Sequence, residues 1–171
     1  PADFLRGQNS RIPPLTFAKH LIDNPCVLNL KIGGRKSGPL RSDLWLTKEL
    51  DRIWQSHFAD VPRVNEVIIR FMGNWKTRLG VIKLSECQRH TLIGVNGLLR
   101  LPAVPPVIVE ITIAHELVHY AHGFGSPLPR KYRYPHRGGI VERELRRRGL
   151  GDKLADYSRW LEDHWFAFYE S

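Results

Sequence analysis

The most constraining feature of this 171-residue sequence is the apolar stretch PPVIVEITIAHELVHYAHG, in which two histidines are spaced four residues apart. Proline in a first turn and glycine after a last turn are typical helix boundaries, so the stretch predicts a helix from Pro106 to about His122. Because apolar residues occur on most faces of this helix, we expect it to be buried. Its histidines and glutamates then need polar partners inside a core.

Residues 115–119 have the sequence His-Glu-Leu-Val-His, an HExxH motif within the predicted helix. Two histidines at this spacing lie on one helix face and can give two imidazole nitrogens to one zinc ion. With 8 His and 9 Glu in the chain, random placement gives roughly 0.02 such motifs. We therefore predict His115 and His119 as metal ligands. Glu116 is predicted to take a proton from a water molecule at the open metal position and to pass it to the leaving amine.

A catalytic zinc ion needs a third protein ligand, for which the sequence offers several candidates. His122 is close to the same helix face, but ligands from three consecutive turns of one helix would lie in a line. We therefore interpret it as a neighbour of the site or a surface residue. His136 follows His119 by 17 residues, and a loop of this length can bring it back over the helix. We predict His136 as the third ligand, with Glu142 or Glu144 as the alternatives, although nearby arginines favour ion pairs for both.

Composition limits the class of protein. Hydrophobic residues make up 42% and charged residues 25%, which is typical of a globular domain and excludes a wholly disordered or collagen-like chain. No run approaches 18 apolar residues, so no membrane span is expected. Two cysteines are too few for a disulfide framework or a cysteine-based zinc site and favour a reducing compartment. We therefore expect a soluble intracellular protein, either cytoplasmic or in the nucleoid or nucleus.

The pattern along the chain predicts one α+β domain preceded by a less regular arm. Residues 1–42 contain several prolines and the basic, glycine-rich KIGGRKSGPLR, which indicates an irregular N-terminal arm or an appended hairpin. Residues 43–171 form the predicted main domain. Its apolar periodicity predicts a small sheet of three or four strands packed on the HExxH helix, with further helices at both ends. The helices are expected over 44–58, 140–148 and from an Asp152 cap onward, and the strands over 66–72, 79–84 and 92–99.

A basic and aromatic cluster surrounds His136. The chain carries a formal net charge of +9, which favours contact with polyanions such as DNA. Tyr132 and Tyr134 lie among the basic residues and can stack on unpaired bases, or one of them can stabilise an oxyanion. A solvated helix face and loop would show the same pattern. The basic residues of the cluster are Arg130, Lys131, Arg133, Arg137, Arg143, Arg146, Arg147 and Arg148.

The order of these motifs resembles that of the SprT-like zinc metallopeptidases, the family of bacterial SprT and of the DNA–protein crosslink protease Spartan. The family's third zinc ligand is the histidine of a His-Gly pair, and His136 takes that position with Arg137 in place of the glycine. The family's C-terminal zinc ribbon is absent, since the chain has no CxxC motif. The resemblance spans about residues 44–165 and rests on HELVH, the histidine 17 residues later, and the motifs Arg78-x-Gly80 and Ile93-x-x-Asn96-x-x-Leu99.

The resemblance implies a zincin-like α+β domain whose active-site helix backs a small sheet, with an edge strand that pairs with an extended peptide. It also implies a zinc metallopeptidase acting on proteins or peptides, with DNA-bound or DNA-crosslinked proteins, and hence DNA repair, as the narrower class. NWKTRLG and RRRGLGDKLADYSRWLEDHW are similar to YgjP-like metal-dependent hydrolases, which implies an alternative without a link to nucleic acid. The remaining alternative is a nucleic-acid-binding module with a structural metal, which would require a fourth ligand.

Overall fold

The computed structural model describes residues 38–166, where four helices and a three-stranded mixed sheet form an α+β fold. This confirms the predicted class with one small sheet, while most of the predicted arm, residues 1–37, lies outside the described residues. Short 3-10 turns occur at Gly97–Arg100 and Arg137–Gly139, and a π-helical turn at Leu161–Trp165. The elements are α1 (Asp43–His57), β1 (Glu66–Met72), β2 (Gly80–Leu84), β3 (His90–Asn96), α2 (Pro106–Ala121), α3 (Ile140–Arg147) and α4 (Gly151–Trp160).

The helix α1 packs one apolar face against the sheet and against α2. It begins after Ser42, whose Oγ accepts a hydrogen bond from the Trp45 amide at 3.2 Å, as expected of an N-cap serine. Its buried residues recur every three or four positions, which is the period of a helix with one buried face. This confirms the helix predicted over 44–58 from its apolar periodicity; the buried residues of α1 are Leu46, Leu50, Ile53 and Trp54.

The sheet has the strand order β1-β3-β2, with β1 parallel and β2 antiparallel to the central β3. Both α1 and α2 contact the sheet and each other, so they cover the same face. Side chains alternate between the two faces of a strand. In β1, Ile69 is accordingly buried under the helices, whereas its neighbour Arg70 points to the opposite face and is exposed.

The helix α2 lies at the centre of the core. Of its 16 residues, 13 are buried, which agrees with the absence of a continuous polar face in the sequence. Its one buried carboxylate outside the HExxH motif, Glu110, accepts hydrogen bonds from Arg52 of α1 at 3.1 Å and from Lys153 of α4 at 2.7 Å. Three helices are therefore joined around a paired charge, and α2 is held in a fixed position.

Two predicted boundaries were wrong. The third strand ends at Asn96 instead of Leu99, because the Asn96 side chain accepts a hydrogen bond from the Leu98 amide at 3.0 Å and starts a 3-10 turn. The last helix begins at Gly151, so Asp152 lies in its first turn and makes no capping bond. Gly149, with a φ of 78°, makes the turn between α3 and α4. Residues 167–171, into which the predicted last helix could extend, lie outside the described residues.

Candidate metal centre

Two histidines of the candidate site are fixed by α2 itself. His115 and His119 lie one turn apart, and their Nε2 atoms approach to 3.0 Å. In a tetrahedral zinc site with Zn–N bonds of about 2.05 Å, two ligating nitrogens lie about 3.3 Å apart. The separation of the two Nε2 atoms is therefore close to that of two ligands of one ion.

His136 reaches the same point from the segment that follows α2. Its ring centroid lies 5.4 Å from that of His115 and 4.6 Å from that of His119. One nitrogen from each of the three rings lies within 4.8 Å of the others. The chain turns directly after His136 because Gly138 and Gly139 both adopt a φ of 67°, which glycine tolerates. The three predicted histidines are thus close enough to bind one metal ion.

The chemistry of the three rings fits a metal ion, because a metal binds the neutral imidazole. Burial, reinforced by the neighbouring rings, lowers the pKa of His115 well below its usual range and lowers the pKa of His119 to about 3. Burial also lowers the pKa of His136, although the Glu142 carboxylate opposes this shift. Three neutral imidazoles suit zinc, copper, iron or nickel. The donor set therefore fits a transition metal without identifying which one.

Glu116 is buried beside the histidines, with 5% of its surface exposed. Its carboxylate packs against the start of β2, where a Cβ atom added to Gly80 would collide with Glu116 Oε1. Burial raises the pKa of Glu116 to about 8, and the positive charge of Arg78 opposes this shift. Burial raises the pKa of the nearby Tyr157 of α4, and the Glu116 charge adds to this shift. A buried carboxylate of this kind takes up and releases protons near neutral pH.

A rigid loop precedes β2 and carries Arg78. The buried Asn96 side chain donates hydrogen bonds to the carbonyl oxygens of Trp75 at 2.7 Å and Arg78 at 2.8 Å. The Trp165 indole donates to the Lys76 carbonyl at 2.8 Å. In the sequence, Arg78, Gly80 and Asn96 stand out only as parts of motifs. Their roles were missed because these contacts depend on how β2, β3 and the C-terminal helices pack, which local spacing does not reveal.

One edge of β2, which no other strand of residues 38–166 covers, lies next to Glu116. The Leu79 carbonyl accepts a hydrogen bond from the Asn96 amide, and the Ser85 amide donates to the His90 carbonyl, at 2.8 and 2.9 Å. In an antiparallel pair, the main-chain N–H and C=O groups of every second residue point to the partner strand. The odd-numbered residues from 79 to 85 therefore bond to β3. The main-chain groups of Gly80, Ile82 and Leu84 point the other way. Since β2 is an edge strand, these groups face away from the sheet.

Glu142 and Glu144, the alternative third ligands, do not belong to the group of ligand atoms that the three histidines form. Glu144 accepts hydrogen bonds from Arg147 and from Arg148, as the surrounding arginines predict. Glu142 acts on His136 only through its charge. The suggestion that His122 lies on the surface was wrong, because it is 3% exposed. Its ring packs edge-on against Tyr132 at 4.9 Å, and its Nδ1 has no hydrogen-bond partner within residues 38–166.

The two tyrosines occupy different surroundings. Tyr132 packs on His122, whereas Tyr134 lines a groove of about 410 Å³ together with Pro135, His136 and Arg137. Both rings are exposed, at 43% for Tyr132 and 49% for Tyr134. Tyr134 is thus the tyrosine that shares a groove with a predicted ligand, while Tyr132 covers a buried histidine.

One member of the basic cluster has a structural role. The Arg148 side chain is 5% exposed and donates hydrogen bonds to Asp60, to Glu144 and to the His57 carbonyl. These partners leave it unable to reach a phosphate on the surface, so its inclusion among nucleic-acid contacts was wrong. The others are exposed, although Arg147 pairs with Glu144 and two more stack on aromatic rings. The exposed members are Arg130, Lys131, Arg133, Arg137, Arg143, Arg146 and Arg147.

Comparison with known proteins identified no relative of this chain. No protein-family model, no curated protein and no solved structure matches the chain. The SprT-like resemblance therefore stays a prediction from the sequence motifs. None of the helices within residues 38–166 combines the length and the apolar character that a membrane crossing requires.

Proposed function

We propose that this protein is a zinc-dependent metallopeptidase of the SprT-like, zincin-like type, with His115, His119 and His136 as the zinc ligands. The observation that carries the proposal is the meeting of three ring nitrogens within 4.8 Å beside a buried carboxylate. Three protein ligands leave a position open for reactants, as in catalytic zinc sites, whereas a structural site is closed by four. Within residues 38–166, these three histidines are the only group of three or more potential ligands that lie close enough together to hold one metal ion.

Glu116 is the general base and acid of the proposed reaction. Its carboxylate takes the proton of the attacking water molecule and then gives it to the leaving amine. For this it must be ionised at the start, and the charge of Arg78 favours that form. When bound, zinc would polarise the substrate carbonyl and lower the pKa of water. The Tyr134 hydroxyl, in the groove with His136, or the Tyr132 hydroxyl donates a hydrogen bond to the developing oxyanion.

The substrate is an extended protein or peptide segment. Within residues 38–166 the outward main-chain groups of Gly80, Ile82 and Leu84 bond to no other backbone group, so a strand can add to this edge through hydrogen bonds that do not depend on sequence. Glu116 lies against Gly80 at the start of the same edge. Strand addition at β2 therefore brings a peptide bond to the general base. Such a protease would have a loose sequence preference.

DNA-bound or DNA-crosslinked proteins are the narrower substrate class that we propose. Seven exposed basic residues lie on both sides of His136, between Arg130 and Arg147. Basic side chains neutralise phosphates, and the exposed rings of Tyr132 and Tyr134 can stack on unpaired bases. A DNA strand held there would bring its bound protein to the cleft.

The test is cleavage of a basic, DNA-binding test protein by the zinc-loaded enzyme, with and without single-stranded DNA. Glu116→Gln should lower the rate by about 10²- to 10⁴-fold, because the general base is lost. It should keep the zinc, because Glu116 is not a ligand. Glu86→Gln, in the exposed turn between β2 and β3, is the matched control and should cleave normally. Preserved cleavage by Glu116→Gln would contradict the mechanism, and cleavage indifferent to DNA would remove the narrower class.

A further inference from the structure

The loop between β1 and β2 is held more firmly than its exposed position requires. The Gly97 amide donates to the Gly73 carbonyl at 2.7 Å, and the Asn96 amide donates to the Leu79 carbonyl at 2.8 Å. The buried Asn96 side chain and the Trp165 indole add three further bonds to carbonyls between these two points. Five hydrogen bonds thus fix a loop of seven residues. Binding groups are commonly carried by loops that a rigid scaffold positions.

Arg78 is the cation that this loop presents beside the proposed general base. It is exposed, and its guanidinium lies 5.8 Å from the centroid of the Trp75 ring, which limits its motion. Its positive charge is close enough to Glu116 to oppose the rise in that residue's pKa that burial causes. No carboxylate within residues 38–166 forms an ion pair with it. A preorganised guanidinium without a partner is suited to bind a carboxylate from another molecule.

The position of Arg78 along the chain sets where that carboxylate lies. The chain bends at Leu79, whose carbonyl still accepts a hydrogen bond from the Asn96 amide. A peptide that pairs with Ile82 and Gly80 therefore leaves the edge of β2 beside the loop that carries Arg78. A strand rises by about 3.3 Å per residue, so the two residues from Gly80 to Arg78 correspond to at most about 7 Å. Glu116 lies at Gly80. The carboxylate is therefore expected about two residues from the peptide bond that faces Glu116.

We propose that Arg78 is a specificity-determining residue that binds a substrate carboxylate about two residues from the scissile bond. The inference rests on the proposed peptidase function and narrows its substrates to segments with a carboxylate at that position. An internal Asp or Glu side chain and a C-terminal carboxylate share this chemistry. The first corresponds to an endopeptidase with an acidic preference, and the second to cleavage near a chain end.

The test uses decapeptides with one Asp, or one Asn, at successive positions in a neutral Ala-Ser background. The zinc-loaded full chain should cleave the Asp peptide about five- to tenfold faster than its Asn partner at one position only. In Arg78→Ala this ratio should fall to about one, and in Arg78→Lys to an intermediate value. Arg70→Ala removes a similar exposed charge from the opposite face of the sheet and should keep the preference. Peptides that end at that position, with a free or amidated C-terminus, distinguish the two sources of carboxylate.

A binding arm separates failure of this inference from failure of the proposed function. Zinc-loaded Glu116→Gln is titrated with fluorescent Asp and Asn peptides, so that affinity is measured by anisotropy without turnover. The Asp peptide should bind about five- to tenfold tighter, and the additional Arg78→Ala change should abolish the difference. If no peptide is cleaved but this preference is present, the peptidase proposal fails and the carboxylate site stands. An equal effect of Arg78→Ala on both peptides, or an unchanged preference, would overturn the site.

Discussion

Two segments flank the three histidines, and they are held in opposite ways. The loop between β1 and β2 is fixed by five hydrogen bonds, including two from the buried Asn96 side chain. The segment 132–136 makes no main-chain hydrogen bond to a sequence-distant part of residues 38–166; its turn at 135–136 is local, and its contacts include the packing of Tyr132 on His122. The side with Glu116 and Arg78 is therefore preformed by the fold. The side with His136 depends on what binds the histidines.

The largest expected effect is a loss of zinc affinity when His136, on the less firmly held side of the site, is replaced. His136→Ala should lower zinc affinity by at least about 100-fold, because loss of a ligand exceeds the effect of losing a residue that only supports one. Competition with a chromophoric chelator measures this affinity. His90→Ala, at the exposed end of β3, is the control and should bind zinc normally. Unchanged affinity in His136→Ala would move the third ligand to Glu142, and Glu142→Gln would then have to lose the metal.

A smaller effect is expected when the rigid loop is released. Asn96→Ala removes two donated hydrogen bonds and one accepted bond from a buried side chain. The free energy of unfolding should fall by about 1–3 kcal/mol, measured by urea denaturation. Asn74→Ala, which removes an exposed amide from the same loop, should change it by less than about 0.5 kcal/mol. Equal effects of the two substitutions would show that Asn96 does not fix the loop.

The smallest expected effect concerns the metal-free protein. There the stability contributed by Glu116 and the stability contributed by the histidines should change with pH in opposite directions. The pKa of Glu116 is raised to about 8, so between about pH 4.5 and 8 the folded state holds more protons than the unfolded state. Its contribution to stability is fully present below pH 4.5 and is lost as pH rises through 8. Glu116→Gln should therefore melt with the parent near pH 4.5 and about 2–8 °C higher near pH 8.

The histidines have the opposite sign. Burial lowers the pKa of His119 to about 3, so its contribution to stability is present above pH 6.5 and is lost as pH falls towards 3. Thermal melts of the metal-free protein from pH 4 to 9 distinguish the two trends. Glu116→Gln and the parent protein should differ more in melting temperature as pH rises. If the difference stayed constant, burial would not raise the pKa of Glu116.

The sequence predicted the parts of the molecule that depend on local pattern. The continuous apolar character around His115 and His119 was enough to predict a buried helix, and the periodicity of α1 gave its buried face. His136 also lies close enough to His115 and His119 to share one metal ion, as a loop of that length allows. The boundary at Asn96 failed, since its side chain competes with the strand for backbone partners.

The charged contacts were harder to predict than the helices. Arg148 belongs to a run of three arginines, which looked like one solvated or phosphate-binding group. In the fold it turns inwards to Asp60, which is 88 residues away in sequence. Arg78 gave no signal of its position beside Glu116 either. Both positions depend on tertiary packing between distant segments, for which spacing in one sequence carries no information.

The burial of α2 on nearly every face determines how this site can be transferred or engineered. A zinc finger can be cut out as a short peptide because the metal itself organises the chain. A peptide of residues 106–121 would instead expose the 13 side chains that the domain buries, and short helices have little stability in water. Grafting HELVH into another protein therefore requires a host with a ready-made central core helix.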